Sequence, residues 1–279
     1  MSEARPVTTD GLEEVPPTPT SDDVAQLAGR RPLLVALDFD GVLAPLVDDP
    51  KASRMLPASR AALERISGID GVQVALVSGR DLGSLADLAD PPTGTLVVGS
   101  HGAETGEVTA DGVVQVPLDL SPEQEEAHTD LVAGFEAAIG DLRGAWVETK
   151  PTAAVLHTRL ATDEGTTQAT EAADAVAARL GLEAMHGHDV VEVAVIETSK
   201  GVALTRLRAD LASAHGVDDD TVAVLYAGDD TTDERAFEVL GADDLTVKVG
   251  PGRTRARRRV ADPAAFAELL GSIATALDA

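Results

Sequence analysis

The stretch at residues 33–47, LLVALDFDGVLAPLV, constrains the fold more than any other part of this chain. Five apolar residues in an unbroken run lead into Asp38, with Asp40 and Gly41 close behind. A short, wholly apolar run that ends in acids and a glycine is the pattern of a strand buried on both faces and stopping at a polar site. Residues i and i+2 of a strand point the same way, so the Asp38 and Asp40 carboxylates converge unless the chain turns between them. Two carboxylates held close need a cation or a shared proton.

The same layout recurs along the chain. Residues 57–67 carry apolar positions at helical spacing, and the VQVALV strand at 72–77 ends in Ser78-Gly79-Arg80. This is a βαβ unit, so the two strands run parallel and end on one edge. A helix at 81–88 and a strand at 94–98 follow, the latter running into Gly99-Ser100-His101-Gly102-Ala103-Glu104. Ligands of open α/β sheets bind beyond the carboxyl ends of the strands, which gathers these loops at one place. After residues 199–201, Ser-Lys-Gly, the pattern resumes: helix 202–215, strand 221–226, the acidic Gly228-Asp229-Asp230-Thr231-Thr232-Asp233-Glu234, a helix to residue 240, strand 245–249 and a last helix from Pro263.

Between these halves, helix, strand, strand occurs twice: 122–140, 145–150 and 153–160, then 164–180, 182–186 and 190–195. Antiparallel pairs joined at 150–152 and 187–189 make an inserted α+β unit. The expectation is a doubly wound parallel α/β core over 23–107 and 197–279, an α+β cap over 108–196 and a disordered tail over 1–22, with Asp22 or Asp23 capping a short helix through Arg30. An inserted unit of this kind is a candidate lid.

Composition narrows function. The net charge of −26, from 22 basic and 48 acidic residues, opposes binding to nucleic acid or anionic membranes. Cysteine is absent, which removes thiolate nucleophiles and cysteine metal sites. The N-terminal segment lacks the pattern of a signal peptide or membrane anchor, so a soluble cytoplasmic protein is expected. Arg253, Arg255, Arg257, Arg258 and Arg259 form a local basic cluster, read either as a solvated face near the last helix or as a contact to an anionic ligand.

Asp229, Asp230 and Asp233 sit at a strand end where they can meet Asp38 and Asp40. Such a cluster either caps a helix or supplies oxygen ligands to Mg²⁺, and the pair across the sheet favours the metal. Asp229 and Asp233, four apart at a helix start, are expected on one face. Phosphoryl transfer needs a balancing cation, for which Lys200 is placed at the re-entry to the core. Ser78 is either part of a turn or a hydroxyl for a phosphoryl oxygen. In the cap, Glu148 and Lys150 alternate on one strand face, forming either a cross-strand ion pair or a paired acceptor and donor for sugar hydroxyls.

DFDGVLAP (38–45), VSGR (77–80), Lys200 and GDDTTDE (228–234) resemble the ordered motifs of the haloacid dehalogenase superfamily of phosphatases. Within it, LDFDGVLAPLV, GSHGAE (99–104), WVETK with a following LHTR, and GDDTTDE resemble trehalose-6-phosphate phosphatases. The resemblance implies Asp38 as nucleophile, Asp40 as acid and base, and Lys200 and Ser78 as holders of the phosphoryl group. It implies Mg²⁺ at Asp38, the Asp40 carbonyl and Asp229, with Asp230 beside it and Asp233 in support. It also implies substrate contacts at Arg80, His101, Glu148, Lys150 and Glu192, and weaker roles for His157 and Arg159 in cap structure or phosphate orientation.

A trehalose-phosphate synthase is then a candidate partner. Another sugar phosphate, such as sucrose 6-phosphate or a phosphohexose, is the alternative substrate, and a non-catalytic sugar-phosphate sensor the alternative class. Val42 stands where many relatives have Thr, which removes a hydroxyl, and Ala194-Val195 stands where they often have Arg-Pro.

Overall fold

The computed structural model describes residues 15–116, 120–196 and 198–279. Its centre is strand β1 (Leu33–Leu37), all five residues of which are buried. Alternate side chains serve opposite faces. Leu33, Val35 and Leu37 pack with helices α1 (Ser21–Ala28), α2 (Pro57–Ile66) and α8 (Pro263–Leu277), while Leu34 and Ala36 pack with α6 (Lys200–His215) and α7 (Glu234–Glu238). Complete burial of a large aliphatic side chain is worth about 1.5–3 kcal/mol, which explains the unbroken apolar run.

Strands β2 (Val72–Val77) and β3 (Leu96–Gly99) lie on one side of β1, with helix α3 (Leu82–Ala89) between them in sequence. On the other side lie β10 (Ala223–Gly228), β11 (Leu245–Val249) and β12 (Arg258–Val260). All these neighbours are parallel. Strands β4 (Glu104–Thr109) and β5 (Gly112–Val116) add an antiparallel hairpin at the β3 edge, making eight strands. The doubly wound parallel expectation therefore holds for the core.

The second sheet has the order β6-β7-β9-β8 and is antiparallel throughout. Its strands are β6 (Trp146–Lys150), β7 (Ala153–His157), β8 (Ala184–Gly187) and β9 (Val190–Ala194). Helices α4 (Pro122–Ile139) and α5 (Asp163–Leu180) cover one face, where Ala154, Leu156, Val191 and Val193 meet Leu131, Phe135 and Ala173. The opposite face, carrying Glu148, Lys150 and Glu192, turns to a cleft against the core.

Three expectations change. The proposed cap boundary at residue 108 cuts through β4, because 104–116 forms a hairpin of the large sheet; Thr109 Oγ1 donates to the Gly112 carbonyl at its turn. Mixed polar residues in β4 and exposed ones in β5 hide this hairpin from periodicity. The expected tail to residue 22 overruns α1, which starts at Ser21; Thr20, not Asp22 or Asp23, is its N-cap, with Asp23 completing a capping box. The tail's residues 1–14 lie outside the described residues.

The basic cluster is a solvated face near the last helix only in part: Arg253 and Arg255 are exposed, whereas Arg257, Arg258 and Arg259 are half-buried. Residues 258–260 form edge strand β12, and Arg258 makes a two-pronged pair with Asp23 at 2.7 Å on both arms. Arg257 and Arg259 donate to the carbonyls of Asp244 and Gly250, and Arg255 pairs with Glu238 at 2.7 Å.

Candidate active site

The parallel register brings the acidic groups together. Leu37 pairs with Ala227 on β10 and with Leu76 on β2, so Asp38, Gly228 and Val77 are level and the next residues open onto one sheet edge. Asp38 is buried, and its Oδ1 accepts the Phe39 N–H at 2.7 Å while its Oδ2 faces Lys200 Nζ at 2.8 Å. Lys200 is the first residue of α6, whose N-cap Ser199 accepts from the Val202 N–H. The same ammonium donates to Asp233 Oδ1 at 2.8 Å.

Asp233 does not share a helix face with Asp229, as the spacing suggested. It stands at the N-cap position of the short helix α7 without bonding the helix N–H groups, and turns inward, where Oδ2 accepts the N–H groups of Asp229 and Asp230 at 2.9 and 3.0 Å. Its Oδ1 also accepts the Tyr226 hydroxyl at 2.6 Å. Four donors on one buried carboxylate make Asp233 the clamp that shapes this loop. Asp230, expected beside a metal, instead accepts from the Thr232 N–H, the Thr232 hydroxyl and the Asp233 N–H.

Among the described residues, Asp38, Asp229 and Asp233 offer carboxylate oxygens within 4.8 Å of one another. Burial pushes the Asp38 carboxyl well above its ordinary value; Lys200 works against this, and Asp233 and Asp229 add to it. Burial, then Asp233 and Asp230, push Asp229 up to about 6. Burial opposes the Lys200 ammonium too, but Asp38 and Asp233 outweigh it and hold it charged. Lys200 contacts Asp38 and Asp233, and Lys248 meets only the backbone carbonyl of Asp229, so the three carboxylates outnumber the two ammonium groups, which suits a divalent cation with oxygen ligands.

The backbone leaves room for this arrangement by one glycine. A Cβ on Gly41, which has φ of 75°, would fall 2.0 Å from Asp229 Oδ2. Asp38 and Asp229 are side chains that could hold a divalent cation, with Asp233 bracing the Asp229 loop.

Asp40 does not point with Asp38. The chain turns at once, and Asp40 pairs with Arg80 through Nη2–Oδ1 at 2.8 Å and Nε–Oδ2 at 2.5 Å. The Arg80 guanidinium also lies over the Phe39 ring, 5.6 Å from its centre. Ser78 is buried, its Oγ accepting the Arg80 N–H at 3.3 Å, which leaves its own O–H to give. His101 packs against Gly79, where any side chain would come within 2.5 Å of the imidazole. Burial and then Lys200 pull the His101 pKa below its ordinary value, so the ring is neutral near pH 7.

A cleft of about 820 Å³ separates this edge from the second sheet. His101 and Lys200 line the core side, and Glu148, Lys150 and Glu192 line the cap side. Lys150 Nζ lies 2.9 Å from Glu192 Oε1, and Glu148 Oε2 lies 2.8 Å from His157 Nε2. The cross-strand pairing foreseen for these residues and their facing of a cleft are therefore both present. His157 stacks on Trp146 with ring centres 4.6 Å apart, so it orients Glu148, whereas Arg159 lies beyond the end of β7 and is exposed.

Sequence reasoning missed Tyr226, Lys248 and Ser53. Tyr226 and Lys248 left a trace, each a polar tip within an apolar strand; Lys248, buried, donates to the Asp229 carbonyl. Ser53 left none: it lies in a loop and donates to Asp40 Oδ1 at 2.9 Å.

Solved structures share the fold. The Aspergillus fumigatus trehalose-6-phosphate phosphatase superposes with a TM-score of 0.65 at 24% identity, over 95% of this chain and 99% of that one. The C-terminal domain of the Candida albicans trehalose synthase regulatory protein gives 0.54 at 15% identity, over 93% and 99%. Among curated sequences, the trehalose-phosphate phosphatase of Mycobacterium marinum is 30% identical over 256 residues, 87% of this chain and 62% of its own length. The chain therefore spans about three fifths of that relative. The family model described as trehalose-phosphatase matches residues 36–262, from within the central strand to the N-cap of the last helix, and the chain belongs to this family.

Proposed function

We propose that this chain is a phosphatase that hydrolyses trehalose 6-phosphate to trehalose and phosphate, with Mg²⁺ as cofactor. The observation that carries the reading is the buried Asp38 and Lys200 pair, 2.8 Å apart, below a cleft whose far wall bears Glu148, Lys150 and Glu192. Fixed charges at the floor of a cleft are what transfer of a phosphoryl group requires.

Asp38 attacks phosphorus, and the bond from phosphorus to the sugar oxygen breaks. The carboxyl proton of Asp40 passes to that oxygen as it leaves. Water then attacks the aspartyl-phosphate, Asp40 takes its proton, and the bond from phosphorus to Asp38 breaks, which restores both carboxylates to their starting states. Lys200 and the Ser78 hydroxyl hold phosphoryl oxygens, and Arg80 and His101 line their approach. Asp38, Asp229 and the Asp40 carbonyl would hold Mg²⁺, which would neutralise charge on the phosphoryl oxygens.

Glu148, Lys150 and Glu192 present charged acceptors and a donor spaced along one sheet face, suited to a hydroxyl-rich disaccharide. A cap of residues 120–196 closing on the core would exclude water during transfer. No helix of the described residues is long and apolar enough to cross a membrane, which is compatible with the proposed cytoplasmic site. A synthase that delivers the sugar phosphate is the proposed partner. Phosphate release measured over a panel of sugar phosphates tests the reading: trehalose 6-phosphate should be clearly preferred, and preference for sucrose 6-phosphate or a phosphohexose would overturn the substrate assignment.

A further inference from the structure

Ser53 is fully buried in the loop between β1 and α2, thirteen residues past Asp40, and its hydroxyl donates to Asp40 Oδ1 at 2.9 Å. The contact is built. Asp49 caps the short 3₁₀ turn Pro50–Ala52 by accepting from the Lys51 N–H, and Ser53 follows directly. Leu56 N–H donates to the Leu43 carbonyl at 2.8 Å, pinning the end of this loop to the turn that carries Asp40. The Arg54 guanidinium staples it from the other side through the carbonyls of Lys51 and Ser53, at 2.8 and 2.7 Å.

Asp40 has two partners of different kinds. The Arg80 fork donates to both oxygens and has no lone pair to offer, so it matches only the carboxylate. A serine hydroxyl donates to a carboxylate and equally accepts from a carboxyl O–H. Arg80, from the end of β2, and Ser53, from the loop after β1, thus fix the Asp40 carboxyl from two separate parts of the chain.

We propose that Ser53 is a positioning residue that, through its hydrogen bond, keeps the Asp40 carboxyl aimed at the departing oxygen. The inference rests on the role of Asp40 in the proposed reaction. It identifies a loop serine, outside every motif of the sequence, as part of the machinery for poor leaving groups.

Leaving-group dependence separates this role from a structural one. A sugar alkoxide needs a proton as it departs, whereas p-nitrophenolate does not, and kcat/KM reads events only as far as formation of the aspartyl-phosphate. For Ser53→Ala, kcat/KM on trehalose 6-phosphate should fall about 10–50-fold, a part of the total that general acid catalysis supplies, while p-nitrophenyl phosphate changes less than about 3-fold. Ser53→Cys, nearly the same size but a weak donor, should show the same split and carries the test if the alanine variant folds poorly.

Equal loss on both substrates, or no loss on either, would overturn the role of Ser53. Asp40→Asn is the control. It should show a larger split of the same sign, and if it does not, the acid assignment fails and the inference with it.

Discussion

Lys200 Nζ and Asp38 Oδ2 stand 2.8 Å apart with both side chains buried, and the same ammonium reaches Asp233 in the loop after β10. A buried charge that loses its partner is costly, because nothing else nearby replaces the lost solvation. Lys200→Met should lower kcat on trehalose 6-phosphate by about 10²–10³-fold, the usual cost of removing one electrostatic donor from such a site. It should also lower stability by about 3–5 kcal/mol, read from the urea midpoint. Asp38→Asn should abolish turnover, and no labelled phosphoryl group should be trapped on the chain. Retained turnover would remove the nucleophile assignment.

Gly41 lets Asp229 approach the turn after β1. Its alanine variant would place a methyl 2.0 Å from Asp229 Oδ2 and force a non-glycine residue to φ of 75°. The strained backbone alone costs about 1–2 kcal/mol. The expected result is a folded protein in which Mg²⁺ no longer raises the melting temperature and titration calorimetry detects no binding. In the unmodified chain, chelation should abolish phosphate release and added Mg²⁺ should restore it.

The acids and the lysine of the second sheet face the cleft but do not reach the Asp38 pair. Glu148→Gln and Lys150→Met should each raise KM for trehalose 6-phosphate about 10–100-fold, the worth of a hydrogen bond to a charged group. Hydrolysis of p-nitrophenyl phosphate should stay nearly unchanged. Equal damage to both substrates would assign these residues to the packing of the sheet instead.

Asp23 joins α1 to β12 through its two-pronged contact with Arg258. The Arg258 hydrogen bonds, opposed by burial and helped by Thr20, hold the Asp23 carboxyl down at about 2, against an ordinary value of 3.8. A depressed carboxyl contributes stability above its unfolded value and loses it as pH falls through the folded one. That contribution is therefore complete above pH 3.8 and fades toward pH 2. Asp23→Asn should unfold at lower urea than the parent chain at pH 7, by up to about 1 kcal/mol for loss of the partly exposed charge pair with Arg258. The two should converge as the pH approaches 2.

How much was legible differs by residue. The parallel core was readable because β1, β2, β10 and β11 are buried on both faces, and burial leaves the same apolar run wherever it occurs. The hairpin of β4 and β5 was not, since an edge strand with an exposed face has no such requirement. The basic cluster reads alike whether its arginines meet solvent or carbonyls, and the fold put Arg257 and Arg259 on carbonyls and Arg258 on Asp23.

By itself the sequence determined the central strand, the acidic loops at its edge and the candidate nucleophile, because these depend on local apolar runs and on residue types a few positions apart. Only the tertiary structure decided which carboxylates meet. It turned Asp233 inward onto Lys200, Tyr226 and two backbone N–H groups, sent Asp230 to its own loop, and drew Asp40 away from Asp38 to Arg80 and Ser53. The physical reason is that a carboxylate points to the donors that offset its desolvation. Those donors come from strands and loops up to forty residues away from Asp40, and hundreds of positions of chain can lie between partners such as Asp23 and Arg258.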